Sequence, residues 1–153
     1  MTNKIHKIQV AIFVRVSTKQ QDTKRQVDDL KKLCAKQGWK VESVITETVS
    51  GKTKNSHRLG LIKLMELADT GLIQKIVVSE VSRLGRNTRE VLETIDELSN
   101  RKISLYIQNY NLETLTPTGK VNSMAKFMLT LLAEFARMER KHSLIPILRL
   151  FLV

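Results

Sequence analysis

Ser17 stands two residues past Arg15, where the apolar run in "AIFVRVSTKQQD", residues 11–22, turns polar. Further along, "SRLGR" supplies Arg83 and Arg86, and Arg58 closes a polar loop that lies between the two stretches. Brought together, these residues would set up to four guanidinium groups around one hydroxyl. Such a cluster repels itself unless an anion sits in it, and guanidinium matches phosphate oxygens with paired hydrogen bonds. A serine in that setting suggests a nucleophile attacking a phosphodiester, with the arginines holding the charge that builds on the phosphoryl oxygens. A free serine hydroxyl is a weak nucleophile, so something must take its proton or lower its pKa. Arginine potential assists, but arginine is no base at neutral pH.

Each residue also has a plainer explanation. Arg15 could snorkel from a strand end, Ser17 and Thr18 could be turn residues, and Gln26 could complete a capping box with Thr23. "SRLGRN" could be an ordinary loop ending in a helix cap. The convergence of two basic loops on one edge is what favours a site. Competing chemistries lack their motifs: there is no "GxxxxGK" phosphate loop, no "GxGxxG" fingerprint and no "GxSxG" elbow. The three histidines, His6, His57 and His142, have neither metal-ligand nor triad spacing, so no metal site and no cofactor are expected. The lone cysteine, Cys34, falls at an apolar helical position and reads as a small core residue.

The elements that must position these groups alternate along the chain. "KIQVAIFVRV" reads as a strand buried on both faces. A helix follows from Asp22, with Val27, Leu30, Leu33 and Cys34 on one face and Gly38 as its stop. "VESVITET" is a second strand, and after the loop "SGKTKNSH" a helix runs from about Arg58 to Ala68. "KIVVSEV" is the third strand, then Asn87 with Glu90 caps a helix that extends to about Asn100. "ISLYIQNY" is the fourth strand. This βαβαβαβ order favours an α/β fold, a mainly parallel sheet with helices on both faces. Ligands bind such sheets beyond the carboxyl ends of their strands, so Ser17 and the "SRLGR" loop open on the same edge.

The last helix, about residues 121–143, is apolar over more than one stripe. Met124, Phe127, Met128, Leu131, Leu132, Phe135 and Met138 are read as facing a core, while Ala125, Leu129, Ala133 and Ala136 add further apolar surface. A helix apolar most of the way round must be covered by something, either the centre of a monomer's core or a partner subunit; the partner is the preferred reading. The formal charge of +11, from 26 Lys and Arg against 15 Asp and Glu, attracts polyanions. With only 5% aromatic residues the chain is poor in stacking platforms, so duplex phosphates are a better target than single strands. No signal peptide and no membrane span is apparent, and a cytoplasmic location is expected.

"RVSTKQQ", "SGKTKNSHR", "SRLGRN" and "AEFARMERK" together resemble the catalytic domain of serine site-specific recombinases, the resolvase and DNA invertase family, over residues 7–142. The resemblance implies that Ser17 forms a covalent phosphoserine link to DNA. By position, Arg15, Arg83 and Arg86 match phosphate-binding arginines, and Arg58 matches the active-site arginine after the second strand. Gln21 and Gln26 match glutamines of the serine loop, and Glu139 and Arg140 match the acidic and basic residues of the long helix. Arg140 joins Lys141, Lys120 and Lys126 as DNA-binding candidates. Implied partners are double-stranded DNA and further copies of the chain, a homodimer and then a tetramer in the synaptic complex. Cleavage, subunit rotation and religation would need no metal or nucleotide.

Two departures stand out. Where many members have an aspartate before the motif's arginine, this chain has Ser82, with Glu80 the neighbouring carboxylate if the strand directs both side chains to one face. Second, the family's long helix leads to a separate DNA-binding domain, whereas here "KHSLIPILRLFLV" ends the sequence, with Pro146 set to stop the helix. The domain reading is therefore 1–142 catalytic and 143–153 a short apolar tail. The functional reading is a DNA-cleaving and rejoining domain; the alternative is a truncated, non-catalytic remnant that dimerises and interferes with a full-length recombinase.

Overall fold

The computed structural model describes residues 6–16, 20–48, 58–85 and 87–140. Its elements are β1 (Gln9–Val16), α1 (Gln20–Gln37), β2 (Lys40–Thr48), α2 (Leu59–Asp69), β3 (Lys75–Val78), a 3₁₀ turn (Val81–Leu84), α3 (Thr88–Asn100), β4 (Ser104–Ile107), β5 (Leu112–Glu113) and α4 (Ser123–Arg140). The five strands lie in the order β2-β1-β3-β4-β5. All neighbours are parallel except β4 and β5, so the fold is the mainly parallel α/β sheet that the alternation of elements implied.

The central strand explains the layering. Val10 through Val14 are sealed from solvent, and because successive side chains alternate faces, β1 serves two cores. Val10, Ile12 and Val14 pack with Leu30 and Cys34 of α1. Ala11 and Phe13 pack on the opposite face with Leu64 of α2, Leu98 of α3 and Leu129 of α4. Cys34 is thus a core residue, and burial pushes its thiol pKa up.

Element boundaries moved where local geometry outweighed pattern. α1 begins two residues before Asp22, since its first turn carries no apolar residue to mark it. β3 stops at Val78 rather than continuing to Val81, because the chain winds into a 3₁₀ turn closed by Arg83 N–H donating to the Glu80 carbonyl (3.3 Å). The fourth strand stops at Ile107. After a short turn, Asn111 at φ 50 reverses the chain into β5, a strand too short to show a period; asparagine enters this left-handed region more readily than other non-glycine residues. α3 starts as expected, the Asn87 side chain accepting from Glu90 N–H at 2.9 Å.

The largest correction concerns α4. Met124, Phe127, Leu131 and Phe135, read as facing a core, are 65, 60, 42 and 46% exposed on this chain. Ala125 and Leu129 are the sealed residues instead, at 0 and 1% exposure. The small side chain of Ala125 lets the helix approach closely, a placement that residue size alone would have reversed. The helix starts at Ser123, two residues later than expected, with Asn122 Oδ1 accepting from Ala125 N–H (3.3 Å). Its expected extension to 143 and the tail 143–153 reach outside the described residues.

Candidate active site at the carboxyl edge of the sheet

Arg15 and Val16 end β1 in register with Glu47 and Thr48, which end β2. Glu47 is only 5% exposed. Within its strand it is in phase with buried Ile45, so the period that turns Ile45 inward also buries this carboxylate. A buried carboxylate needs a partner, and Arg58 supplies one with two bonds: Nε to Oε1 at 3.1 Å and Nη2 to Oε2 at 2.8 Å. Such a paired, fork-shaped contact is among the stronger ion pairs available to proteins.

Gly60 makes the pairing possible. A Cβ placed there would lie 2.6 Å from Glu47 Cβ, so only glycine lets the first turn of α2 approach β2 this closely. The Arg58 side chain is held at 10% exposure just before that helix. It also reaches across the sheet edge, Nη2 donating to the Arg83 carbonyl at 2.7 Å. One guanidinium therefore ties the end of β2 to the turn after β3.

That turn is pinned from behind. Leu84 is sealed in the core, and its carbonyl accepts from the hydroxyl of Thr94 on α3 (3.1 Å). At Gly85 an added Cβ would meet Val91 N at 2.6 Å and Glu90 Cβ at 2.8 Å, so the turn lies directly on α3. Its polar residues, Glu80, Ser82 and Arg83, are left at the open edge, where Ser82 Oγ donates to Glu80 Oε2 at 3.1 Å. Glu80, expected in the third strand, instead precedes the 3₁₀ turn that holds Ser82.

The electrostatics are those of an anion site. Burial, together with Arg58 and Arg83, pushes the Arg15 pKa below its ordinary value while Glu47 opposes the shift; the group nonetheless remains a cation. Three guanidinium groups face one buried carboxylate, whose oxygens are both committed to Arg58. Arg58 Nη1 and Arg83 Nε are buried without a hydrogen-bond partner among the described residues. Unpaired buried donors are costly, and an oxyanion entering the edge would satisfy them.

The structure thus brings together three of the expected residues, Arg15, Arg58 and Arg83. Gln26, on α1, is partly buried and leaves its Oε1 without a partner among the described residues. Ser17, Arg86 and Lys141 lie outside the described residues; Gln21, Glu139 and Arg140 fall within α1 and α4 but their side chains are not described. Lys120 is exposed in the turn before α4 and Lys126 is exposed in its first turns. Glu47 was missed by the motif reading, although the phase of β2 carried the signal. Among the described residues no group of histidine, cysteine or acidic side chains could hold a metal ion, and no helix is long and apolar enough to cross a membrane.

Residues 10–144 match the family model described as the resolvase N terminal domain. The transposon Tn2501 resolvase of Escherichia coli is 28% identical over 137 residues, covering 88% of this chain and 68% of the relative. The Tn552 DNA-invertase BinR of Staphylococcus aureus is 32% identical over 128 residues, covering 84% of this chain but only 59% of the relative. Among solved structures, the N-terminal catalytic domain of TP901-1 integrase aligns with a TM-score of 0.64 at 26% identity, covering 88% of this chain and 98% of that domain.

Proposed function

This chain belongs to the resolvase family of serine recombinases, and we propose from that premise that its carboxyl-edge arginine cluster binds a phosphate of duplex DNA for attack by Ser17. The observation that carries the reading is the pair of buried donors, Arg58 Nη1 and Arg83 Nε, that have no partner among the described residues and lie beside Arg15 around a carboxylate already in use. Donors held in place before the charge arrives favour the transition state, because they need no reorganisation when it forms. Arg86, in the same loop as Arg83, is the fourth phosphate ligand in this reading, and Glu47 keeps Arg58 aimed.

The step is a transesterification. The Ser17 oxygen bonds to phosphorus, the bond from phosphorus to a sugar oxygen breaks, and that oxygen leaves with the electron pair and gains a proton. One phosphodiester replaces another, so religation by the reverse step requires no external energy source and no cofactor. Arg140, Lys141, Lys120 and Lys126 serve the DNA backbone, which fixes position without reading sequence. Glu139, Gln21 and Gln26 are assigned to the site on the motif alone. The four exposed apolar side chains of α4 are the surface for a second copy, since such a stripe on a lone chain would be an association liability.

The test is capture of a covalent adduct on nicked duplexes of randomised sequence. An adduct that forms with the unsubstituted chain and is lost in Ser17→Ala supports the reading; one that survives the substitution overturns it. Binding should weaken steeply with salt, as phosphate contacts demand.

A further inference from the structure

The phosphate reading of the arginine cluster, on which this inference rests, requires the turn that carries Arg83 to hold its shape before an anion arrives. The turn's own bonds do little toward that. Its closing bond, Arg83 N–H to the Glu80 carbonyl, is long at 3.3 Å, and the bond from Ser82 to Glu80 is exposed to water. Leu84 is sealed in the core, but apolar burial is non-directional and does not set the angle of a peptide plane. Gly85 adds freedom at the same place. A Cβ there would strike Val91 N at 2.6 Å, and the glycine that avoids this contact lets the peptide before it rotate more readily.

We propose that Thr94, on α3, is a positioning residue for phosphate binding, its hydroxyl fixing the Leu84 carbonyl and through it the placement of Arg83. The two peptide planes that flank Leu84 are each gripped from outside the turn. The Arg83 carbonyl accepts from Arg58 Nη2 at 2.7 Å, and the Leu84 carbonyl accepts from Thr94 Oγ1 at 3.1 Å. Because each peptide is planar, holding both planes holds the two dihedral angles of Leu84 between them. The backbone of Arg83 is thereby fixed relative to both α3 and Arg58, whose Nη1 and the Arg83 Nε are the buried donors without a partner among the described residues.

Packing alone does not call for a hydroxyl at this position. Thr94 is 7% exposed on a face of α3 that also buries Val91, Ile95 and Leu98, and valine would fill nearly the same volume. Thr94 Oγ1 also lies 2.9 Å from the Glu90 carbonyl, one turn back on α3, so one proton serves two acceptors. The Glu90 carbonyl belongs to a helical ladder, where the backbone N–H four residues on already serves it. The Leu84 carbonyl ends the 3₁₀ turn and has no such ladder. It gains more from the proton, since a buried acceptor left without a donor is costly.

The experiment follows the arginine Nε–H signals of the full chain by heteronuclear NMR while inorganic phosphate is added against chloride of equal ionic strength. Arg83→Lys and Arg58→Lys identify the two signals by their loss. In the unsubstituted chain the Arg83 signal should move with phosphate. Thr94→Val keeps volume and branching but not the donor, and the phosphate concentration at half-shift should rise about three- to tenfold, the worth of one ordinary hydrogen bond. The Arg58 Nε–H signal, committed to Glu47, should keep its position in the phosphate-free variant. Thr94→Ser and Thr94→Ala differ in the hydroxyl alone and carry the same test if the valine variant does not fold: the serine variant should bind phosphate as the unsubstituted chain does, and the alanine variant should bind it weakly. An unchanged half-shift in Thr94→Val, or a serine variant as weak as the alanine one, overturns the role of Thr94 while the phosphate site stands. So does displacement of the Arg58 signal in the phosphate-free variant, which marks a general loosening. An Arg83 signal indifferent to phosphate in the unsubstituted chain overturns the phosphate reading, and this inference with it.

Discussion

Two ion pairs sit at opposite ends of the same parallel sheet and differ in what they leave unsatisfied. At the amino end, Lys75 opens β3, only 6% exposed, with Nζ 2.5 Å from Glu113 Oε1 and 3.9 Å from the centre of the Trp39 ring. Ser104 Oγ donates to the other Glu113 oxygen at 3.2 Å, and Trp39 meets Tyr106 edge-on at 5.3 Å. The carboxylate is satisfied on both oxygens and the ammonium lies against an aromatic face. The Glu113 carbonyl also accepts from the side chain of Asn122, which caps α4, so the pair anchors the last helix to the sheet. At the carboxyl end, Arg58 and Glu47 are as well buried, yet donors on Arg58 and Arg83 have no partner among the described residues. A buried pair whose polar atoms are all engaged needs nothing further, whereas buried donors without an acceptor leave a hydrogen-bonding demand at the edge.

The sharpest way to break this contrast is to remove one member of the carboxyl-end pair. Glu47→Ala leaves Arg58 buried without its counter-charge, and loss of about 3–5 kcal/mol is expected, read as a lowered denaturation midpoint together with loss of adduct formation. Arg58→Lys keeps the charge but not the fork; it should abolish most of the adduct with a smaller stability loss, and an unchanged adduct rate would show that the paired geometry is dispensable.

Lys75→Met removes the ammonium from the other end. Because Glu113 is partly solvated there, about 1–3 kcal/mol of stability should be lost, again in denaturant. Per folded molecule the adduct rate should stay unchanged, and a selective loss of rate would erase the distinction between the two ends. Gly60→Ala is expected to cost about 1–3 kcal/mol through overpacking against Glu47, measured in the same way.

α4 offers a second contrast, between its sealed and exposed faces. Leu129→Ala should destabilise the chain by about 2–5 kcal/mol as a buried truncation. Phe127→Ser with Leu131→Ser should change monomer stability by less than about 0.5 kcal/mol per site while abolishing self-association in sedimentation. If inhibition of a full-length relative on co-expression persists in Ser17→Ala but disappears in the Phe127 and Leu131 variant, the interacting role outweighs the catalytic one.

The smallest effect concerns pH. Burial, and then Glu113, push the Tyr106 pKa up from 10.0, so the unfolded chain ionises this phenol before the folded chain does. Its contribution is fully present below pH 10.0 and declines as pH rises through the folded value. Tyr106→Phe should flatten that alkaline limb in unfolding measurements.

The order of strands and helices, the sealed central strand and the cap at Asn87 were all legible in the one-dimensional pattern, because each rests on local periodicity or residue chemistry. Which side of α4 turns inward was not, since the choice belongs to Ala125 and Leu129 packing against the rest of the chain, and large apolar residues lie on both sides of that helix. Nor could spacing alone show that Arg58 grips Glu47 and reaches the Arg83 carbonyl, contacts that join residues 11 and 25 positions apart. The sequence by itself determined that Arg15 would stand at the carboxyl end of the first strand of a mainly parallel sheet, with Arg83 in the turn after the third. Only the tertiary structure decided which carboxylate is consumed in holding an arginine and which donors are left over, because hydrogen-bond satisfaction depends on distances between strands that no local period encodes.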